Sequence, residues 1–322
     1  MNPKELYDPS WDIYDSSKLK EFEECPRKYF YKYMLGWVPE TPNLHLVFGE
    51  AWHRAMEEML KGHCSPDAIM KGYNRMNSYY RESFGLDMDA INFPKTPDNA
   101  RNLLVWYAAR YGTDDFVVHY TETGGSIVLP SGNKLYFRLD SILEDSRGYF
   151  TMDHKTGSMD SKAWADGWIL DLGISTYINV LYCLYPQEQV WGAVINGTFF
   201  RKGDSTKKFK SVEETPFKRV LVRKTMGMME GWLYEVEAII REIQHQTNIL
   251  MSYNESHSVM DCFRRRTTSC THYGTCGYHS FCTSWTNPLP RTDEPPVGYR
   301  IKRWNPLDHA KEAANYLEVN ND

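Results

Sequence analysis

The succession of patterns along this chain predicts a fold of helices and strands combined: N-terminal helices, a block of antiparallel strands, then helix, strand and helix. Two observations carry that expectation. Apolar residues recur at helical spacing to about Tyr111, and from Phe116 the pattern changes to period-two alternation broken by turn residues. A length of 322 residues suits one large domain or two modest ones, and 42% hydrophobic with 14% aromatic residues supports a packed core and argues against disorder. No run approaches the ~18 consecutive apolar residues of a membrane span. The opening Met-Asn-Pro-Lys-Glu lacks the apolar stretch of a signal peptide, so a cytosolic location is expected. There, seven cysteines read as reduced thiols or metal ligands rather than disulfides.

Ser16-Ser17-Lys18-Leu19 opens a helix with a capping-type serine, and apolar or aromatic residues recur to about Met34. Further helices are expected near residues 47–60, 66–84 and 97–111. Strands are expected at 116–122, 126–129, 134–143 and 149–153, separated by Gly124-Gly125, Pro130-Ser131-Gly132-Asn133 and Ser146-Arg147-Gly148. A long helix over 162–185, strands at 189–201 and 216–223, and a helix over 225–250 complete the pattern. The remainder reads as loop-rich, with a polar, peripheral tail after Asn305 and no internal repeat. The sections are thus 1–115, helical; 116–250, the core; and 251–322, a cysteine-bearing segment and tail, interlocked as one domain.

A net charge of −5 does not point to nucleic acid, but the charge is uneven. Between Arg201 and Lys224 lie nine basic residues (201, 202, 207, 208, 210, 218, 219, 223, 224) against three acids (204, 213, 214). Arg264-Arg265-Arg266 forms a second cluster. Solvated loops are the plain explanation of either patch alone, and phosphate binding is the better one beside a phosphate-cleaving site.

Such a site is written in two neighbouring strands. Asp140 lies in Lys134–Ile142, Asp153 ends Tyr149–Asp153, and a short hairpin joins the runs so that the carboxylates can converge. Residues 153 and 155 share a strand face. Two carboxylates and a main-chain carbonyl suit Mg²⁺ or Mn²⁺, with Lys155 placed to orient a water or neutralise charge on phosphate oxygens. A bare Asp-x-Lys is weak, and a structural ion pair is its simplest meaning. The second copy, Asp160-Ser161-Lys162, is set aside because it follows Gly157 in a loop with no strand leading into it. His53, on an amphipathic helix, is by itself an ordinary packed histidine, with Glu57, one turn on along the same face, as a candidate partner.

Cys270-x5-Cys276-x5-Cys282 offers three thiolates in a polar loop, and Cys25 is the candidate fourth. An iron–sulfur cluster tolerates such spacing. Zinc is the competitor, with His272, His279 and Cys262 nearby, although no cysteine pair has the tight spacing of a zinc knuckle. Cys64, Cys183 and Cys262 read as spare thiols.

In their order these residues resemble the RecB-type PD-(D/E)xK nucleases, in the iron–sulfur branch that includes the AddB nuclease domain, CRISPR-adaptation nucleases and stand-alone phage exonucleases. Ser17-x-Leu19-x-x-Phe22-x-x-Cys25-Pro26-Arg27-Lys28-Tyr29 is similar to the opening motif, and Phe48-Gly49-x-x-x-His53 to the helix supplying a histidine ligand. Leu139-Asp140 and Asp153-His154-Lys155-Thr156 are similar to the acidic and D-x-K strands. The resemblance, over residues 16–282, implies an α/β core: a restriction-endonuclease-like mixed sheet flanked by helices, with an N-terminal helical section and a cluster-bound C-terminal segment. It implies catalytic roles for Asp140, Asp153, Lys155 and Tyr177, and Mg²⁺ or Mn²⁺ held by His53, Asp140, Asp153 and His154. It also implies a [4Fe–4S] cluster on Cys25, Cys270, Cys276 and Cys282. Two departures stand out: Gly173 occupies the glutamine position of the family's Gln-x-x-x-Tyr, and Arg138 the position of a usual glycine.

The resemblance implies a DNA nuclease, an exonuclease on single strands or ends, working in the cytoplasm (the host's, if phage-encoded). A non-catalytic DNA-end-binding or adaptor protein is the alternative. Tyr29, Phe30, Tyr31 and Tyr33, beside basic residues, could stack bases or equally pack a helix core. No G-x-x-x-x-G-K-[ST] is present, so ATP-driven unwinding would need a helicase, recombination or replication partner.

Overall fold

The computed structural model describes residues 3–202, 211, 214–253, 258–272, 274–313 and 315–320. The strands are Tyr14–Asp15 (β1), Trp37–Pro39 (β2), Val117–Val128 (β3), Lys134–Asp145 (β4), Gly148–Gly157 (β5), Val190–Phe199 (β6), Phe217–Val222 (β7), Tyr299–Ile301 (β8) and Asn315–Asn320 (β9). Seven of them form one sheet in the order β7-β6-β5-β4-β3-β9, with β1 alongside β4, while β2 and β8 pair separately. The sheet is mixed: β3–β4, β4–β5 and β6–β7 are antiparallel, and β5–β6, β3–β9 and β1–β4 are parallel.

The helices are Ser16–Glu24 (α1), Pro26–Tyr29 (α2), Leu44–Lys61 (α3), Pro66–Arg81 (α4), Asp89–Asn92 (α5), Pro97–Tyr111 (α6), Lys162–Asp166 (α7), Leu172–Leu184 (α8), Met226–Met251 (α9), His279–Ser284 (α10) and Pro306–Lys311 (α11). One apolar layer joins α3, α4 and α6 through Phe48, Trp52, Met56, Met76, Tyr80 and Leu104, and takes in Phe200 and Phe217. The other packs α1, α8 and α9 against the sheet through Leu19, Phe22, Leu139, Ile178, Ile195 and Ile240. The expected α/β architecture, a mixed sheet flanked by helices, is therefore present. Among the described residues no single helix is long and apolar enough to cross a membrane.

Several elements differ from the sequence reading for identifiable reasons. The first helix does not run unbroken to Met34. Cys25 is extended (φ −163°), as a residue before proline prefers, and the chain resumes as α2 and a π-helical turn at Phe30–Met34. The cap of α1 is Asp15, whose carboxylate accepts the Lys18 N–H at 2.7 Å, rather than a serine. Tyr29, Phe30, Tyr31 and Tyr33 are all buried, so they pack the core and are not a base-stacking surface.

Gly124-Gly125 is not a turn but the middle of β3. A Cβ at either position would lie 2.0 Å from the Ala310 or Leu317 carbonyl oxygen, so the missing side chains admit α11 and β9 against the strand. The long helix expected over 162–185 is split: a 3₁₀ turn at Gly167–Leu170 follows α7, and Asp171 caps α8 by accepting the Ile174 N–H. This segment makes the crossover that parallel β5–β6 pairing requires. β8 pairs with β2 in the segment expected to be loop, and the tail after Asn305 is not peripheral, because β9 extends the main sheet beside β3 and buries Val319.

Candidate active site and cysteine cage

β4 and β5 pair from Asp145–Gly148 to Ile142–Thr151 and then part. Just beyond, Ser141 Oγ donates to the Met152 carbonyl (3.0 Å) and Thr151 Oγ1 to the Ser141 carbonyl (2.8 Å). Then the Asp140 carboxylate takes the place of a ladder acceptor, its Oδ2 receiving the His154 N–H at 2.8 Å. Asp140 and Asp153 thus flank a fork between the strands. β5 continues through Gly157, so Lys155 stands inside it, and strand alternation puts it on the same face as Asp153. Lys155 Nζ lies 2.6 Å from Asp153 Oδ2, a charge-assisted contact that holds the buried carboxylate from its own strand face.

His53 enters from α3, with Nδ1 2.9 Å from Asp140 Oδ2. A further acid, absent from the sequence reading, joins them. Glu122 sits on β3 between the pairs Thr121–Ser141 and Thr123–Leu139, hence across from Asp140. Ligand atoms of His53, Glu122 and Asp140 all lie within 4.8 Å of one another, a donor set able to hold a metal ion. The only sign in the sequence is an acid within a strand, and it gains meaning once the register with β4 is known.

The charges respond to this crowding. Burial would raise the Asp140 pKa, but the charge and hydrogen bond of His53, aided by Lys155, hold it well below the usual carboxylate range. Burial would lower the His53 pKa, yet Asp140 lifts it to about 9. Burial raises Asp153, against the pull of Lys155. Burial and the Asp140 charge push Glu122 up to about 7, opposed by Arg138 and His53. Burial works to discharge Lys155, but Asp153 and Asp140 outweigh it and keep the ammonium charged.

The other sequence candidates are placed as follows. The His154 imidazole lies outside the three-residue group. Its Nδ1 is 2.8 Å from Asn196 Nδ2, which also donates to the Tyr107 hydroxyl, and burial drives its pKa down to about 3. Glu57 does not partner His53, because Lys61 (2.5 Å) and Arg75 (2.7 Å) hold its carboxylate. Tyr177, on α8, is near enough to Asp153 and Asp140 that their charges add to burial in raising its pKa. A Cβ on Gly173 would lie 3.2 Å from both Asp171 Oδ1 and Lys20 Nζ, an ion pair that a longer side chain would press upon. Asp160 pairs with Arg201 at the surface.

Arg219, counted in the basic stretch, is an internal brace: it pairs with Asp114 (2.6 Å) and donates to the Tyr107 hydroxyl (3.2 Å). Basic residues 207, 208 and 210 and acids 204 and 213 lie outside the described residues.

The cysteine segments also come together. Ser269 Oγ donates to the Glu24 carbonyl (2.7 Å), and Arg27 Nε to that of Phe263 (2.9 Å). The Arg266 N–H points at Cys25 Sγ (3.4 Å), and its side chain reaches the Glu23 carbonyl. Arg265 donates to the Cys282 carbonyl (2.6 Å), so two arginines of the second basic cluster brace the cage. Tyr278, stacked on Tyr31, ties the loop to the N-terminal core by donating to the Trp37 carbonyl (2.6 Å). Burial pushes the Cys282 thiol up to about 11, with Cys25 and Cys276 adding to the rise. All seven cysteines are free thiols, and burial raises the Cys276 thiol pKa, with Cys25 and Cys270 adding to the rise.

Comparison with the curated proteins gives no match. Residues 16–283, from the start of α1 into α10, match the PD-(D/E)XK nuclease superfamily. With its mixed sheet, its forked acidic strands and a match over most of its length, the chain belongs to the PD-(D/E)XK nuclease superfamily.

Proposed function

We propose that this protein is a Mg²⁺- or Mn²⁺-dependent deoxyribonuclease of the iron–sulfur branch, acting as an exonuclease on single-stranded DNA or DNA ends in the cytoplasm. The observation that carries the reading is the convergence of His53, Asp140, Asp153 and Lys155 at the β4–β5 fork. The donor set fits a hard cation: carboxylates and an imidazole, with the Asp153 carboxylate buried beside them. His53, Asp140 and Asp153 would hold the ion, with His154 contributing its main-chain carbonyl. Bound there, the ion would polarise the scissile phosphate and acidify a water.

The chain's own residues do the rest. Asp140 is fixed by the strand through the His154 N–H, so its carboxylate needs little reorganisation to serve as a ligand. Lys155, kept charged by two carboxylates, neutralises charge growing on phosphate oxygens or orients the attacking water. Tyr177 borders the same carboxylates and would help to place the substrate strand.

Cys25, Cys270, Cys276 and Cys282 would hold a [4Fe–4S] cluster. The four thiols lie near enough to act on one another electrically, Cys25 and Cys270 on Cys276, and Cys25 and Cys276 on Cys282, which fits one group held by all four. Such a cage would lock sections 1–115 and 251–322 around the core. Unwinding of duplex DNA would come from a helicase, recombination or replication partner.

The test is cleavage of end-labelled single- and double-stranded DNA by the purified protein with and without Mn²⁺. Metal-dependent shortening from an end supports the reading. Binding of DNA ends with no cleavage under any metal condition refutes it and leaves the adaptor alternative.

A further inference from the structure

We infer that Glu122 is a ligand of the active-site cation and that Arg138 is its internal stand-in, a guanidinium that occupies the carboxylate until the cation binds. The inference rests on the metal-dependent reading above. Arg138 contacts only one oxygen of Glu122: Nε at 2.8 Å and Nη2 at 2.7 Å both reach Oε2. The carboxylate as a whole stands in the group formed with His53 and Asp140. Three acids, Glu122, Asp140 and Asp153, crowd the mouth of one fork, and the Asp153 carboxylate is buried there. Charges of one sign so arranged need cations, and Arg138, Lys155 and His53 are those the chain supplies.

The backbone bears this out as a position under tension. Glu122 has φ +49° within a strand, a conformation that favours glycine, and such strain persists where surrounding structure imposes it. Arg138 also has somewhere to go. Its Nη1 lies 3.4 Å from His309 Nδ1, and a cavity of about 120 Å³ beside it is lined by Tyr177, Trp304 and His309. A cation that takes Glu122 from Arg138 therefore does not strand the guanidinium in an apolar wall. The acid and the arginine form an exchangeable pair, so removing one should have the opposite effect on metal affinity from removing the other.

The experiment is Mn²⁺ binding without DNA, read as free Mn²⁺ by electron paramagnetic resonance. The proteins compared are wild type, Glu122→Gln, Glu122→Gly, Arg138→Gln and Asp153→Asn. Both Glu122 variants should bind Mn²⁺ about tenfold or more weakly, and Arg138→Gln several-fold more tightly. Glu122→Gly guards against a folding artefact, because glycine suits the positive φ and its melting temperature should equal or exceed that of wild type. Wild-type affinity in both Glu122 variants, with binding lost in Asp153→Asn, overturns the role of Glu122 and leaves the nuclease reading standing. Weakened binding in Arg138→Gln overturns the stand-in role. Equal Mn²⁺ binding by wild type and Asp153→Asn removes the cation site itself, and Glu122 with it.

Discussion

His53 Nδ1 on α3 and Asp140 Oδ2 on β4 meet at 2.9 Å, and the same oxygen accepts the His154 N–H at 2.8 Å. A helix side chain and a strand amide thus hold one carboxylate from two directions. The strand contact can persist while a cation is bound, whereas the helix contact is the one a cation would displace.

Asp153→Ala or Lys155→Ala should lower DNA cleavage by about two orders of magnitude or more, with fold and DNA binding largely retained. Asp160→Ala should stay active, since Asp160 pairs with Arg201 at the surface, away from the fork. Rates on end-labelled DNA, with circular dichroism as the folding control, decide the matter. Activity lost in Asp160→Ala and kept in Asp153→Ala would reverse the assignment.

His53→Ala removes one nitrogen donor and leaves both carboxylates of the fork. The Mn²⁺ concentration for half-maximal cleavage should rise about tenfold or more, with activity partly restored at high Mn²⁺. An unchanged metal titration would make His53 a packing residue.

Cys25→Ser should bleach a brown, iron-containing protein and destabilise both terminal sections, because Cys25 stands between α1 and the Arg266 segment. Anaerobic preparation, metal analysis and visible absorption read the outcome, with about four irons per chain expected in the wild type. Colourless, zinc-loaded, fully active protein would defeat the cluster and spare the nuclease assignment.

The fold should weaken in acid partly through His154. Its pKa falls from 6.5 to about 3 through burial, so below 6.5 the unfolded chain binds a proton that the native state excludes. The contribution is full above 6.5 and is lost progressively as pH falls towards 3, at about 1.4 kcal/mol per unit. Denaturant titrations from pH 7 to 4 should show a shallower loss in His154→Asn than in wild type. Parallel slopes would mean that other groups control the acid limb.

Much of the scaffold is visible in local pattern. Period-two alternation marks β4 and β5, helical spacing finds α6 at its full extent, and a two-residue step is enough to put Asp153 and Lys155 on one strand face. The helix break at Cys25 was not read from the sequence, although its cause, the restriction that Pro26 places on its neighbour, is local. These features depend on backbone geometry within a few residues, which any short window of sequence records.

Other features were decided only by tertiary structure. Glu122 becomes a site residue through the register of β3 on β4, and Gly124-Gly125 become a docking place for α11 and β9 rather than a turn. The polar tail becomes a sheet strand because β3 leaves an edge open to it. The aromatic run after Cys25 lies inward because the C-terminal loop folds over it, with Tyr278 stacked on Tyr31 and Phe263 on Tyr29. Strand register, edge pairing and burial are settled between segments distant in the chain, by hydrogen-bond completion and exclusion of water over the whole sheet, and no local periodicity encodes them.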